Sequence, residues 1–254
     1  MPSGLVSRQV ELVRPSNPHD PWLKPDESLD EFMGGRLRLI QSRKGYRFSI
    51  DAVLLSQFAT VKPHDKVVDL GTGCGIIGLI LLLTKPVRAV FGLEIQPYLA
   101  GLAVRNAVLN GFQNRMSVIV GDIRHPPFAV GKADLVVCNP PYRKSIGGRI
   151  NPDPEKAIAR HEIMVSLGEI MRASSQILRP KGRLAMIYPA DRLVASFSEM
   201  RSIGLEPKRM RVIYPQMDAE AKLVLVEASL NGRGGLKILP PLMDQGEFSI
   251  VREV

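Results

Sequence analysis

The tetrapeptide Asn139-Pro140-Pro141-Tyr142 closes the apolar run Ala133-Asp134-Leu135-Val136-Val137-Cys138. It joins an amide, two rigid prolines and an aromatic ring at the place where a buried strand would reach a cleft. In an open α/β sheet, ligands bind at the carboxyl ends of the strands. Two consecutive prolines lack N–H donors, cannot extend a central strand and force a fixed turn. Such a turn can aim the Asn139 side chain and the Pro140 carbonyl at one point, with Tyr142 closing over it. Two acceptors under an aromatic lid suit a planar group that carries an NH2, such as adenine. The plainer alternative is a strand-ending turn with a surface tyrosine, so the tetrapeptide has to be weighed with the rest of the chain.

A second group of residues lies upstream. Lys66-Val67-Val68-Asp69-Leu70 reads as a buried strand running into Gly71-Thr72-Gly73-Cys74-Gly75, with an apolar helix from Ile76 to Leu83 behind it. Glycines at a strand-to-helix turn let the backbone approach a ligand and point helix N–H groups at it. The next strand, Ala89 to Leu93, ends in Glu94, whose carboxylate can accept from both hydroxyls of a ribose, each bond worth roughly 1.5–3 kcal/mol. The third strand, Ser117 to Val120, ends in Gly121-Asp122, where an acid could meet the exocyclic amine of a bound adenine. Gly73-x-Gly75-x-x-Gly78, with Glu94 about 20 residues on, also has the spacing of a dinucleotide fingerprint. The glycines alone are therefore weak evidence.

Asp69 before the glycines, Asp122 after the third strand and Asn139-Pro140-Pro141-Tyr142 after the fourth separate the two readings. At these places the sequence resembles the class I S-adenosylmethionine-dependent methyltransferases, in their amino-methylating branch; a nicotinamide enzyme gives no reason for the Asn-Pro-Pro-Tyr turn. Lys44-Gly-Tyr-Arg-Phe-Ser-Ile-Asp-Ala-Val-Leu-Leu55 and Arg160-His161-Glu162 narrow the resemblance to the bacterial tRNA adenine-N6 methyltransferases of the valine tRNA type, over roughly residues 30–250. The resemblance implies S-adenosyl-L-methionine as cofactor, with Gly71, Gly73 and Gly75 near its methionine part, Glu94 at the ribose and Asp122 at the adenine amine. Asp69 would either contact the methionine amine or fix the glycine loop. Asn139, Pro140 and Tyr142 would be catalytic, tRNA the partner, and no metal is implied. The Asn-Pro-Pro-Tyr motif is shared with methyltransferases of protein glutamine and of DNA adenine. A protein glutamine, guanine N2 in RNA and a non-catalytic RNA-binding role of the same fold stay open as alternatives. The loop from Arg143 to Glu155 departs from the family pattern.

Net charge is +9, from 34 Lys+Arg against 25 Asp+Glu, and the sequence pI of about 9.8 lies in the range of nucleic-acid-binding domains. Arg143, Lys144 and Arg149 follow the tyrosine directly and are the best candidates for RNA phosphate contact. Two further clusters, Arg36, Arg38, Arg43, Lys44 and Arg47, and Lys208, Arg209 and Arg211, read equally as solvated faces. Two cysteines, Cys74 and Cys138, make neither a disulfide framework nor a metal site. The longest apolar run falls far short of the ~20 residues that span a bilayer, and the polar N-terminus has no signal-peptide core. A cytoplasmic protein is expected.

Strands at 66–70, 89–93, 116–121, 133–138 and 182–188 alternate with helices near 76–83, 97–110 and 160–178, which implies a parallel sheet. A helix from Asp191 to about Ser202 precedes two strands, 206–214 and 222–230, with no helix between them, so they should pair antiparallel at the sheet edge. The expected fold class is α/β: a Rossmann-like, seven-stranded, mostly parallel sheet with an antiparallel C-terminal strand. Residues 1–30, rich in proline, read as an irregular arm, and 31–254 as a single methyltransferase domain that opens with a hairpin and a helix over 31–60. In that hairpin the period-two pattern of Arg36–Gln41 is one strand, Ser42–Gly45 the turn and Tyr46–Phe48 the return. Ser49 and Asp51 read as helix caps, with cofactor contact as the alternative the resemblance offers. Tyr46 and Phe48 suit hairpin packing as well as a platform for a base. His161 reads as a polar surface or capping residue more readily than as an RNA contact. The tail from Lys237 has no clear pattern.

Overall fold

The computed structural model describes residues 23–44, 47–140 and 165–243. Its centre is the parallel run β3 (Lys66–Leu70), β4 (Ala89–Glu94), β5 (Met116–Val120), β6 (Ala133–Cys138) and β7 (Leu178–Pro189), joined to β8 (Leu205–Tyr214) and β9 (Leu223–Leu230). The strand order is β8-β9-β7-β6-β3-β4-β5. β9 runs antiparallel to both neighbours, so the reversed strand is inserted between β7 and β8. Two short strands, β10 (Lys237–Ile238) and β11 (Leu242–Met243), add to the outer edge of β8. They bring the sheet to nine strands where seven were expected, and they account for part of the tail.

Alternate residues of the strands feed two apolar layers, as a sheet covered on both faces requires. Val67, Leu135 and Val137 pack with α1 (Ile50–Phe58), α2 (Ile76–Thr84) and α3 (Pro97–Leu109). Val68, Val136 and Cys138 pack with α4 (Leu167–Ile177) and α5 (Leu193–Ser202) on the other side. All of Ile76–Leu82 is buried, as expected of a helix that is apolar all round. α4 opens on a capping box in which Ser166 and Glu169 exchange hydrogen bonds; the part of the predicted helix before it lies outside the described residues. A single 3-10 turn, Ala190–Arg192, precedes α5.

The N-terminal hairpin is present, but its strands differ from the expected ones. β1 (Glu27–Phe32) pairs antiparallel with β2 (Leu37–Ser42) around the turn Met33–Arg36, where Met33, Gly34 and Gly35 all have positive φ. β1 thus begins inside the segment read as an arm, and the run 36–41 is the second strand of the hairpin. The hairpin sits against α3. Asn106 donates to the Ile40 carbonyl (3.0 Å) and accepts from the Ile40 N–H (2.7 Å), and Asn110 does the same for Arg38 (2.7 and 2.9 Å). Four residues apart on one helix face, these two amides stand in for a partner strand along the edge of β2. Arg105 grips the buried Glu27 through both guanidinium nitrogens. Burial alone would raise the Glu27 pKa, but the Arg105 bonds and the Lys24 N–H hold it below the usual range.

Candidate active site

Strand register fixes which side chains share the carboxyl edge of the sheet. Leu70 pairs with Leu93 on one side and with Cys138 on the other, and Glu94 pairs with Val120. Asn139, the glycine loop, Glu94 and the Gly121-Asp122 turn therefore follow one another across four adjacent strand ends, about 14 Å in three strand spacings. The Cys138 thiol donates to the Leu70 carbonyl (3.1 Å) and locks this register immediately before Asn139. Burial pushes the Cys138 thiol far above its ordinary range and the Cys74 thiol up to about 12, so both cysteines pack as neutral apolar groups.

The loop after β3 is shaped by its glycines. Gly71, Gly73 and Gly75 have φ of 75°, 57° and 88°, a region that other residues avoid. The N–H groups of Gly71 and Thr72 both donate to the Leu93 carbonyl (2.8 and 3.0 Å). Glu94 is buried, and its two oxygens accept from the Gly73 N–H and the Gln96 N–H, each at 2.9 Å. A carboxylate offers about four acceptor positions, so Glu94 ties down the loop and still has lone pairs to offer. Gly78 has another function: a Cβ there would stand 2.9 Å from Val90 and 3.1 Å from Met116. It lets α2 lie against the sheet.

Asp69 is fully buried. One oxygen accepts from the Thr72 hydroxyl at 2.7 Å, while Oδ1 has no partner among the described residues. Burial raises its pKa from 3.8 to about 7; the Thr72 bond opposes the rise and the charge of Glu94 adds to it. Thr72 fits because Gly92 on the neighbouring strand has no side chain: a Cβ there would lie 2.8 Å from the threonine methyl. Asp122 accepts from the Arg124 backbone and side chain at 2.8 Å, and the Arg124 guanidinium holds its pKa low. Asn106 reaches the loop as well, donating to the Cys74 carbonyl at 2.9 Å.

Asp69, Gly71, Gly73, Gly75, Glu94, Asp122, Asn139 and Pro140 thus meet at one edge. Pro141, Tyr142, Arg143, Lys144, Arg149 and His161 lie outside the described residues, as does Tyr46. Ser49 occupies the N-cap of α1 without a side-chain capping bond. Phe48 packs edge-on against Phe32, ring centres 5.4 Å apart, which settles it as hairpin packing. Two residues of the basic cluster ahead of the core brace the hairpin: Arg47 binds Asp30 and Ser28, and Arg43 binds the Glu27 carbonyl. Thr72 and Asn106 were not anticipated. Asn106 did carry a signal, being the polar residue in the apolar stripe Leu99, Leu102, Ala103 and Ala107.

Solved structures that share this fold include methyltransferases. A predicted O-methyltransferase of Agrobacterium tumefaciens superposes with a TM-score of 0.61 at 21% identity, covering 76% of this chain and 86% of its own. Geranyl diphosphate methyltransferase in complex with SAM gives a TM-score of 0.53 at 17% identity, over 70% of this chain and 84% of its own. Fold and site together define an S-adenosyl-L-methionine-dependent methyltransferase. The profile of the methyltransferase small domain matches residues 49–196, more than half of the chain, and the chain belongs to that family. Its relatives include two proteins named tRNA1(Val) (adenine(37)-N6)-methyltransferase. That of Porphyromonas gingivalis is 36% identical over 172 residues, 65% of this chain and 67% of the relative. That of Parabacteroides distasonis is 31% identical over 180 residues, 70% and 75% of the two chains.

Proposed function

We propose that the protein methylates the exocyclic N6 of an adenine in tRNA. The observation that carries this reading is the position of Asn139-Pro140, one residue past the Cys138–Leu70 pair and therefore beside the glycine loop. The relatives' names point to the same substrate.

The residues of the edge suit the cofactor. The unpartnered, buried Oδ1 of Asp69 calls for a donor, and the methionine ammonium of S-adenosyl-L-methionine is one. Gly71, Gly73 and Gly75 would line its methionine part, Glu94 would accept from the ribose hydroxyls and Asp122 from the adenine amine. When bound, S-adenosyl-L-methionine supplies an electrophilic methyl on a sulfonium. The chain's own contribution is alignment. The N6 lone pair of the target adenine is delocalised into the ring and weakly nucleophilic. If the Asn139 amide oxygen and the Pro140 carbonyl accept its two hydrogens, the nitrogen is drawn toward tetrahedral geometry and its lone pair is freed for in-line attack. No strong base is needed beforehand; orientation and fixed dipoles do the work. Tyr142 would stack on the extruded base, a contact worth ~1–3 kcal/mol, and Arg143, Lys144 and Arg149 would meet phosphates. A tRNA substrate implies a cytoplasmic enzyme; among the described residues no helix is long and apolar enough to cross a membrane.

The test is methyl transfer from labelled cofactor to separate tRNA, protein and DNA fractions. Label retained by tRNA supports the reading. Label in protein alone would point to a glutamine side chain, and label in none would leave a non-catalytic RNA-binding role.

A further inference from the structure

We propose that a basic cavity at the opposite, amino-terminal edge of the sheet is a second phosphate site, which takes a backbone phosphodiester of the RNA far from the methyl-transfer cleft. This rests on the RNA reading above. The cavity, about 460 Å³, is lined by Lys62, Lys181, Arg183, Lys208, Arg233 and Glu227. Arg183, which lines the cavity, lies three paired residues along β7 from Met186, the partner of Cys138, roughly 10 Å at ~3.3 Å per residue, and Lys181 lies beyond it.

Two breaks in strand pairing present lysines to this cavity. In the β6–β7 ladder the register jumps from Ala133–Leu178 to Leu135–Arg183, and residues 179–182 leave the sheet with Lys181 at a φ of 62°. In the β8–β9 ladder it jumps from Pro207–Ala228 to Arg209–Glu227, which puts Lys208 in a bulge. Bulges re-aim side chains and gather beside functional sites, and a non-glycine residue at positive φ is uncommon outside Asn and Asp. Both irregularities carry a lysine, and both lysines line the same cavity.

Apart from Arg183, which pairs with Asp65, the lining cations are not cancelled from within. Glu227 accepts from the Thr60 N–H at 2.7 Å and faces Arg209 at 3.4 Å. Asp65 pairs with Arg183. Arg183 is 6% exposed; its Nε donates to the Thr60 carbonyl at 3.1 Å, and its Nη1 has no partner among the described residues. Lys208 donates to the carbonyls of Arg233 and Gly234, which leaves its charge uncompensated. Lys62, Lys181 and Arg233 make no side-chain ion pair among the described residues. Arginine and lysine arranged in this way suit an oxyanion. Glu227 on the floor repels a deeply seated polyanion, whereas a singly charged phosphodiester at the rim meets mainly the exposed cations. That favours a polynucleotide over a free polyphosphate.

The experiment compares the full-length protein with a Lys181→Gln/Lys208→Gln/Arg233→Gln variant, in which neutral side chains of similar reach replace charged ones at the surface. Binding of tRNA and of a dinucleotide, whose single phosphodiester cannot reach from the cleft to the cavity, is measured by anisotropy over a salt series, and inorganic phosphate binding by NMR titration. The expected result is about tenfold weaker tRNA binding and a salt dependence shallower by one to two units, at ~0.7–0.9 per phosphate. The dinucleotide should bind both proteins alike, and inorganic phosphate should shift resonances around the cavity only in the unsubstituted protein. Unchanged tRNA affinity and salt slope overturn the proposal; if phosphate still binds, the occupant is a free phosphate-bearing solute. Should tRNA engage the cavity and yet never be methylated, the proposed function fails and this site stands.

Discussion

Asp69 holds a proton more tightly when folded than when unfolded, because burial raises its pKa from 3.8 to about 7, with Glu94 adding to the effect. Between those values the folded chain keeps a proton that the unfolded chain has lost. Stability from this group is therefore complete below about pH 4 and is lost as pH rises through 7. Asp69→Asn keeps an acceptor for Thr72 and should remove that slope, gaining on the order of 4 kcal/mol over the parent at pH 8 but little at pH 4, at ~1.4 kcal/mol per pKa unit. Urea denaturation of the cofactor-free protein at the two pH values checks it; equal differences at both would show that Asp69 is not the cause. A cofactor ammonium favours ionised Asp69, so S-adenosyl-L-methionine should bind more tightly at pH 8 than at pH 6, and the Asn variant should lose this trend. Asn139→Ala acts on the other partner. Under the proposed function it removes an acceptor needed chiefly when N6 becomes tetrahedral, so single-turnover transfer should fall by roughly 10²–10³-fold while cofactor affinity stays within about twofold. Full turnover would reduce the tetrapeptide to a strand-ending turn. The placement of the candidate residues at one sheet edge was legible because each lies at or just past the end of an apolar strand. Thr72 was not, since its fit depends on Gly92, a residue across the sheet that no local pattern connects to it.

The hairpin shows what sequence periodicity carries and what it leaves out. The alternation over residues 36–41 located β2 correctly, but its partner was sought downstream. Glu27, Asp30 and Glu31 made the upstream strand look like a polar arm, and Gly34-Gly35 were not read as its turn. Glu27 is buried there because Arg105, on a helix far along the chain, neutralises it. Asn106 and Asn110 then complete β2 from the side of α3, a tertiary pairing that has no short-range signature. Asn106→Ala would leave the Ile40 N–H, the Ile40 carbonyl and the Cys74 carbonyl without this partner. Each such group costs ~1–3 kcal/mol when buried, though neighbouring groups will recover part of the loss. Asn106→Ala should therefore destabilise by roughly 3 kcal/mol and weaken S-adenosyl-L-methionine binding through the loop. Asn110→Ala, at the exposed end of the same face, should cost below about 1 kcal/mol and leave cofactor affinity alone. Thermal denaturation and cofactor titration of both variants test this; equal losses would mean that the loop is held independently of α3.

Across the whole molecule, alternation of strands with helices gave the parallel sheet, and the two strands without an intervening helix gave its antiparallel ending. Lys237–Ile238 and Leu242–Met243 escaped notice because two-residue strands are too short for periodicity to register. The candidate site is built by four strand ends in register, and the basic cavity occupies the opposite edge, so under the proposed function one sheet would offer an RNA two contact regions. The identity of the methylated atom separates the proposed function from its alternatives. Unmodified tRNA incubated with the protein and S-adenosyl-L-methionine, then digested and separated as nucleosides by mass spectrometry, reports it directly. The proposed function predicts N6-methyladenosine, absent when Asn139 is replaced by Ala; N2-methylguanosine, or tRNA that gains no methyl group, would contradict it.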